Sequence, residues 1–368
     1  MMRIGIEAAS IVGDKGGVGW HTHHLLHALL ELDDADEFVG YLRPGSLKAG
    51  TLGGWPLHRR LHWVETPRWS MGWRGRWDRL DLYHGPNFKM HTTGRFGGIV
   101  TIHDLWLARH PEYSRKLFGQ AGSSRRAIAT ANRARKVVTV SEFSAREIES
   151  LYGIAREHIV VIHNGVSDDF APLRQAEVRA ELFHRWDIPA AGFILFVGGA
   201  DPRKNHAVFL QAVAKVRAQL GGRAVLLVGD PDHPQGSYRA TAQGLSLDKD
   251  VRCTGRLDRE ELRRLYSCTD LFVFPSRYEG FGMPVLEAMA CGAPTVTSST
   301  SSLPEVAGDA ALLVDPDDVE GLGRAMVTAL SDASLRDGLR QRGYERARLF
   351  TWRRAAASTS ALYRELCT

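Results

Sequence analysis

The sequence predicts an α/β protein in which short buried strands alternate with helices in two successive units. Three observations carry the prediction. The chain has 368 residues, beyond the size at which one hydrophobic core usually keeps growing. Short apolar runs bounded by glycine, proline or polar residues recur along it, each followed by a helical pattern. The layout of strand, glycine loop and helix occurs near the start, at Arg3–Leu32, and again at Phe193–Gln219 and Leu271–Ala290. Strands alternating with helices are the pattern of parallel sheets covered on both faces.

Composition narrows the class. Hydrophobic content of 44% and charged content of 24% describe an ordinary globular protein. No apolar run approaches the ~20 residues of a membrane span. The opening residues Met1–Glu7 lack the apolar core of a secretory signal, so a cytoplasmic protein is expected. Cys253, Cys268, Cys291 and Cys367 are far apart, which fits reduced thiols and neither a disulfide framework nor a zinc site. The net charge of +5 is unevenly spread. Arg109–Lys136 holds eight Lys or Arg against one acid, and Trp55–Arg79 holds five of the nine tryptophans with six arginines. No nucleic-acid module accompanies these patches, so nucleic acid is not expected as a partner. Tryptophan with arginine suits a bilayer interface, which makes peripheral contact with an anionic membrane a candidate. The plainer alternative is core tryptophans beside a solvated loop.

Arg3–Ala8 reads as a buried strand, Gly13–Gly19 as a glycine-rich loop and Trp20–Leu32 as a helix. Backbone N–H groups in such a loop can meet an anion, although its glycines lack the dinucleotide spacing. Strands follow at Phe38–Tyr41, Leu61–Val64, Leu82–His84 and Gly98–Ile102. The last leads into His103 and Asp104, polar residues at a strand's C-terminal end, where open α/β sheets keep their sites. His103 is then a polar contact or proton shuttle, or a strand-end histidine with a structural partner. Gln120–Ala134 reads as a helix, Val137–Val140 as a strand and Ser144–Tyr152 as a helix. Ser144 is the expected cap there, with Glu147 completing a capping box. After the strand Ile159–Ile162 and a turn at Asn164–Gly165, the pattern breaks down over Ser167–Gln175, where the hinge is placed.

The second half restarts the alternation. Strand Phe193–Val197 leads into a loop running from Gly198 and Gly199 to Asp201-Pro-Arg-Lys-Asn205, and then a helix over Ala207–Gln219. Two cations before a helix are unfavourable there unless a polyanion lies between them. Arg203 can grip phosphate bidentately and Lys204 supplies a point charge; a solvated basic turn is the plain alternative. Strands Ala224–Val228 and Val251–Thr254 end at Gly229 and at Gly255-Arg-Leu257, which can floor a base pocket. A helix over Glu260–Ser267 precedes strand Leu271–Phe274. The stretch Glu279–Val296 follows, reading Glu-Gly-Phe-Gly-Met-Pro-Val-Leu-Glu-Ala-Met-Ala-Cys-Gly-Ala-Pro-Thr-Val. Gly280 and Gly282 permit a tight turn, Pro284 suits a helix start, and Gly292 and Pro294 close the helix. Glu279 lies in the loop and Glu287 in the first helical turn, so both carboxylates can face one cleft. A carboxylate near a helix start is also stabilising by itself, by ~0.3–1 kcal/mol. Strand Thr295–Thr297 and helices at Val319–Leu330, Leu335–Phe350 and Thr351–Leu366 complete the chain. Four Asp-x-Asp triplets, starting at Asp34, Asp230, Asp248 and Asp315, sit where turns favour aspartate anyway. With Arg203 and Lys204 at hand, no catalytic metal is expected.

The Glu279–Val296 stretch resembles the signature of retaining glycosyltransferases of family 4: Glu, seven residues, Glu, set in Gly-Phe-Gly and Glu-Ala-Met-Ala-Cys-Gly. The runs Thr101-Ile-His-Asp-Leu-Trp106 and Asp201-Pro-Arg-Lys-Asn205 resemble those of its bacterial mannosyltransferase-type members. The resemblance implies the GT-B architecture, two Rossmann-like domains facing a cleft. Residues 1–170 would form the acceptor-side domain, 171–350 the nucleotide-sugar domain, and 351–368 a helix crossing back to the first. It implies transfer of a hexose with retained configuration, most simply mannose from GDP-mannose, onto a lipid-linked or cell-surface glycan. No cofactor beyond the nucleotide sugar is implied. Other GDP- or UDP-sugars, a sugar-nucleotide epimerase of the same fold and a non-catalytic binding module are the alternatives. By the same resemblance Glu287 holds the ribose hydroxyls, and Glu279 with Phe281, Gly282, Met283, Pro284 and Val285 holds the donor sugar. Arg203 and Lys204 take the diphosphate; some members carry an arginine near Gly199 instead, and this chain has none there. Gly198, Gly199, Gly255 and Leu257 border the nucleotide. His103 approaches the donor sugar with Asp104 in support, and Gly17, Val18 and Gly19 lie near the donor phosphate and the acceptor.

Overall fold

The computed structural model describes residues 1–13, 16–48, 52, 55, 58–113, 120–173, 175–233 and 236–368. Parts of four sequence expectations lie outside them: Asp14 and Lys15 of the first glycine loop, residues 56–57 of the stretch rich in tryptophan and arginine, residues 114–119 of the basic stretch, and Arg174 of the expected hinge. The chain divides into two compact units, Met1–Gly165 with Thr351–Thr368, and Val166–Phe350.

In the first unit seven strands form one parallel sheet: β1 (Arg3–Glu7), β2 (Glu37–Leu42), β3 (Leu61–Glu65), β4 (Leu82–Gly85), β5 (Gly98–Ile102), β6 (Lys136–Thr139) and β7 (Ile159–Val161). Their order is β3-β2-β1-β4-β5-β6-β7, with Ile4 opposite Phe38 on one side and Leu82 on the other. A parallel sheet covered on both faces needs near-continuous apolar strands, and all five residues of β5 are buried. The helix Gly17–Glu31 and the last helix, Trp352–Cys367, share one core with the sheet. Leu26, Leu29, Ala356 and Leu362 meet Ile4, Phe38 and Leu82 there. Burying each large aliphatic side chain is worth about 1.5–3 kcal/mol, so the last helix belongs to this unit. A buried polar bridge adds direction: His84 Nδ1 lies 2.7 Å from the Tyr363 hydroxyl and Nε2 2.7 Å from Thr101 Oγ1. Burial, with His103 beside it, pushes the His84 imidazole down to about 3, so it holds these partners as a neutral ring.

The second unit contains β8 (Phe193–Val197), β9 (Ala224–Val228), β10 (Asp232–His233), β11 (Gly236–Ser237), β12 (Val251–Gly255), β13 (Leu271–Phe274), β14 (Thr295–Ser298) and β15 (Ala311–Val314). β10 and β11 form a small antiparallel pair, and the others a parallel sheet ordered β12-β9-β8-β13-β14-β15. In each unit the strand order reverses beside the first strand, between β1 and β4 and between β8 and β13. Such a reversal opens a crevice at the carboxyl ends of the strands, the ligand position of open α/β sheets.

Several local expectations shift. The first helix begins at Gly17, not Trp20, so Gly17, Val18 and Gly19 form its first turn, and Thr22 Oγ1 donates to the Val18 carbonyl at 2.9 Å. The expected hinge lies later than the division between units. Residues 167–173 are docked on the second unit, where Phe170 meets Tyr266 edge-on and Arg263 donates to the Ala171 carbonyl at 2.9 Å. The cap of the helix Glu142–Tyr152 is Ser141, which accepts from the Ser144 N–H at 3.0 Å. Ser144 instead sits inside the helix and donates to the His103 carbonyl at 3.2 Å, and Glu147 pairs with Arg109 at 2.5 Å. Among the described residues no helix is long and apolar enough to cross a membrane.

Candidate functional site

In the second unit the crevice beside β8 is built from two loops. After β8 the chain runs Gly198-Gly-Ala-Asp-Pro-Arg-Lys-Asn205, and Pro202–Lys204 forms one 3-10 turn. Asp201 shapes that turn: its carboxylate accepts from the Arg203 N–H at 3.0 Å and from Arg203 Nε at 3.1 Å. Arg203 and Lys204 therefore sit before the helix His206–Val216, as the sequence predicts, on a 3-10 turn of their own. Asn205 separates the two in the left-handed region, φ +62°.

The loop after β13 is fastened to the first loop at several points. The Arg203 carbonyl accepts from the Arg277 N–H at 2.8 Å and from Ser276 Oγ at 3.0 Å. Asn205 Nδ2 donates to the carbonyls of Pro275 at 3.1 Å and Pro316 at 2.6 Å. Inside this frame Lys204 Nζ meets Glu279 Oε1 at 2.6 Å, and Ser276 Oγ lies 2.7 Å from the same oxygen. Burial drives the Lys204 ammonium below its ordinary value, opposed by Glu279. Burial would raise the Glu279 carboxyl, but Lys204 and then Arg203 outweigh it and hold it below the usual range. The carboxylate is thus ionised at neutral pH and Lys204 is its counter-charge. Neither Asn205 nor Ser276 was singled out from sequence, although an asparagine just before a helix is a signal for left-handed backbone. Asn205→Ala removes both donated bonds and strains a positive φ. It is expected to lower unfolding stability by about 2–3 kcal/mol; an unchanged denaturation midpoint would contradict this fastening role.

Glu279 leads into Gly280, Phe281 and Gly282. Gly282 takes φ +114° as the cap of the helix Met283–Ala290, where a Cβ would also lie 2.8 Å from Leu303 Cδ2. Met283, Pro284 and Val285 are the first helical residues; proline has no N–H, so the N–H groups of Met283 and Val285 carry the positive end of the helix dipole. Ser302 Oγ, at 2.9 Å and 2.7 Å from the Glu279 and Phe281 carbonyls, holds this entry. Glu287 falls in the second turn, not the first, because the helix begins at Met283. Its partly buried carboxyl is pushed up to about 7 by burial, opposed by Arg259 and then the Tyr266 hydroxyl. The strand ends beside β8 continue the floor. Gly198 N–H donates to the Val228 carbonyl at 2.8 Å and Gly229 N–H to the Gly255 carbonyl at 2.9 Å. A Cβ on Gly229 would lie 2.4 Å from the Gly198 carbonyl oxygen. Gly199 precedes Ala200, which bonds the Asp230 carbonyl at 2.9 Å, and Leu257 lies half-buried just past β12.

In the first unit His103 stands at the end of β5. Its Nε2 donates to the Pro86 carbonyl at 2.8 Å, which leaves Nδ1 as the lone-pair nitrogen. Burial lowers its basicity, opposed by that carbonyl and by Asp104. Asp104 accepts from the Trp106 N–H at 3.1 Å, so it shapes the following turn. His21, from the first helix, meets the His103 ring edge-on at 4.5 Å and places Nδ1 2.8 Å from Asn164 Oδ1. The link between His21, His103 and Asn164 joins residues far apart in sequence and had no local signal.

Three of the four Asp-x-Asp triplets have structural partners: Asp34 and Asp36 face Arg364, Asp250 pairs with Arg217 at 2.7 Å, and Asp317 pairs with Arg277 at 2.7 Å. Among the described residues no group of three or more His, Cys, Asp or Glu is placed to hold a metal ion.

Comparison with known proteins follows the same division. The family described as Glycosyltransferase Family 4 matches residues 15–170, and that described as Glycosyl transferases group 1 matches residues 179–346. The chain is 34% identical over 317 residues to the O-antigen chain mannosyltransferase B of Escherichia coli, covering 84% of this chain and 79% of that one. It is also 34% identical over 234 residues to the serotype-specific mannosyltransferase WbdA of Escherichia coli, covering 62% of this chain and 28% of that longer protein. The crystal structure of Anabaena HepE in complex with UDP-glucose shares the fold, with a TM-score of 0.78 at 19% identity, over 99% of this chain and 100% of that one. Two matched regions, a relative aligned along most of its length and the paired parallel sheets agree, and the chain belongs to the family 4 glycosyltransferases of the GT-B fold.

Proposed function

We propose that the chain transfers mannose from GDP-mannose, with retained anomeric configuration, onto a lipid-linked or cell-surface glycan. The observation that carries the reading is the Lys204–Glu279 pair at the carboxyl ends of β8 and β13, in a chain related over most of its length to a mannosyltransferase. A buried cation fastened at such a crevice is costly unless its field is used, and a diphosphate is the ligand that uses it. In this reading Arg203 and Lys204 stabilise the charge that develops as the bond from sugar C1 to the phosphate oxygen breaks. The acceptor oxygen bonds C1 on the same face, and its proton passes to the leaving phosphate oxygen. Glu279, with the backbone from Phe281 to Val285, positions the sugar hydroxyls, and Glu287 accepts from the ribose. His103 contacts the sugar, and Gly17–Gly19 lie near its phosphate. The two cations replace a metal ion in neutralising the diphosphate. The reading places the chain in the cytoplasm, peripheral to the membrane that carries the acceptor.

Incubation with labelled GDP-mannose, beside a panel of other GDP- and UDP-sugars, tests this directly. Slow release of mannose in water, and faster transfer once acceptor glycan is added, are expected for GDP-mannose above the others. Isomerised donor would identify an epimerase, and binding without turnover a recognition module; either overturns the reading.

A further inference from the structure

The stretch rich in tryptophan and arginine separates into two parts. Trp55 and Trp63 pack edge to face with centroids 5.4 Å apart, beside a small cluster of Ala8, Ile11 and Leu42. Trp69, Trp73 and Trp77 are instead 84%, 75% and 80% exposed. The 3-10 turn Arg68–Ser70 runs directly into the helix Met71–Trp77, and residues four apart along it share a face. The opposite face is fixed to the unit. Met71 is buried, and a side chain on Gly75 would come within 1.9 Å of the Thr93 carbonyl oxygen. At the helix end Asp78 accepts from the Tyr41 hydroxyl at 2.7 Å and from Arg74 Nε at 3.0 Å. The one local acid is therefore compensated, while Arg76 and Arg79, which flank Trp77 in sequence, stand exposed.

Single exposed aromatics are common, but three on one stripe make a contiguous apolar patch, and such patches mark contact surfaces. The charge decides the occupant. A second copy seated on the same patch would set Arg76 and Arg79 against their own counterparts. An anionic bilayer accepts both features, the indole rings at the headgroup level and the guanidinium groups at the phosphates. We infer that Trp69, Trp73 and Trp77, with Arg76 and Arg79, dock this unit on an anionic phospholipid bilayer. The binding is independent of the donor; only its purpose, reaching a membrane-bound acceptor, rests on the function proposed above.

Sedimentation of the full chain with vesicles tests the surface. Vesicles of phosphatidylcholine with phosphatidylglycerol are expected to pellet the wild type, and phosphatidylcholine alone or high salt to release it. Trp69→Ser, Trp73→Ser and Trp77→Ser combined should weaken binding about tenfold or more, and Arg76→Gln with Arg79→Gln should remove the preference for the anionic lipid. Both sets are exposed, so thermal unfolding should match the wild type. Lys204→Ala should pellet like the wild type, which keeps this result separate from the fate of the transferase reading. Equal pelleting with and without phosphatidylglycerol, or undiminished pelleting of the tryptophan variant, would overturn the inference. So would a wild-type dimer that the tryptophan variant turns into a monomer, or salt-sensitive retention of duplex nucleic acid, with no vesicle binding.

Discussion

Lys204→Ala is expected to lower turnover by about 10²–10³-fold, the loss typical when one preorganised group stabilising developing charge is removed. The same change strips Glu279 of its ion-pair partner at 2.6 Å. Truncating one member of a buried pair costs about 3–5 kcal/mol of stability, so the single variant loses both activity and stability. Adding Glu279→Gln separates the two. Without the orphaned carboxylate, unfolding stability should largely recover, while turnover stays low because the cation facing the diphosphate is still missing. Thermal unfolding and donor consumption measured on the single and double variants decide it. Recovery of turnover along with stability would mean that Lys204 acts only as a structural counter-ion.

The second large effect concerns Glu287. Its carboxyl is raised from 4.5 to about 7, first by burial. The folded state therefore holds this proton more tightly than the unfolded chain. The resulting destabilisation is absent below about pH 4.5, grows as pH rises through 7 and is fully present above it. A shift of this size corresponds to at most about 3 kcal/mol, and the partial exposure of the side chain lowers that to about 1–3 kcal/mol. Glu287→Gln should thus unfold at a higher temperature than the wild type at pH 8 and match it near pH 4.5. Its donor affinity should fall by about 1.5–3 kcal/mol, since charge-assisted bonds to the ribose are lost. Wild-type affinity should rise between pH 6 and pH 8, when the carboxylate forms, and the variant's should stay flat. A variant less stable at pH 8, or one that binds donor as the wild type does by calorimetry, would contradict the assignment.

Much of the sheet was legible because buried parallel strands are apolar throughout. Phe193–Val197, Ala224–Val228 and Leu271–Phe274 are strands with the same ends that the sequence predicts. The strand Ala311–Val314 went unread: it lies at the sheet edge with Leu313 40% exposed, and its brief run has no following glycine loop. The helix Met71–Trp77 was also missed, since Gly72 and Gly75 disfavour helix and tertiary seating on Thr92 and Thr93 overrides propensity. Ser141 and Ser144 are equally good caps by residue type, and only the chain's entry angle selects the earlier one. At the site the cations and carboxylates were readable as local motifs. Their partners were not, because contacts such as Asn205 to Pro316 or His21 to Asn164 join distant segments.

The proposed reaction requires that the loop after β8 receive a diphosphate. Its most direct measurement is consumption of labelled GDP-mannose by a chain carrying Arg203→Ala and Lys204→Ala together, compared with the wild type at saturating donor. Turnover at least about 100-fold lower is expected, with donor affinity by calorimetry reduced as well. Turnover equal to the wild type's in that double variant would contradict it.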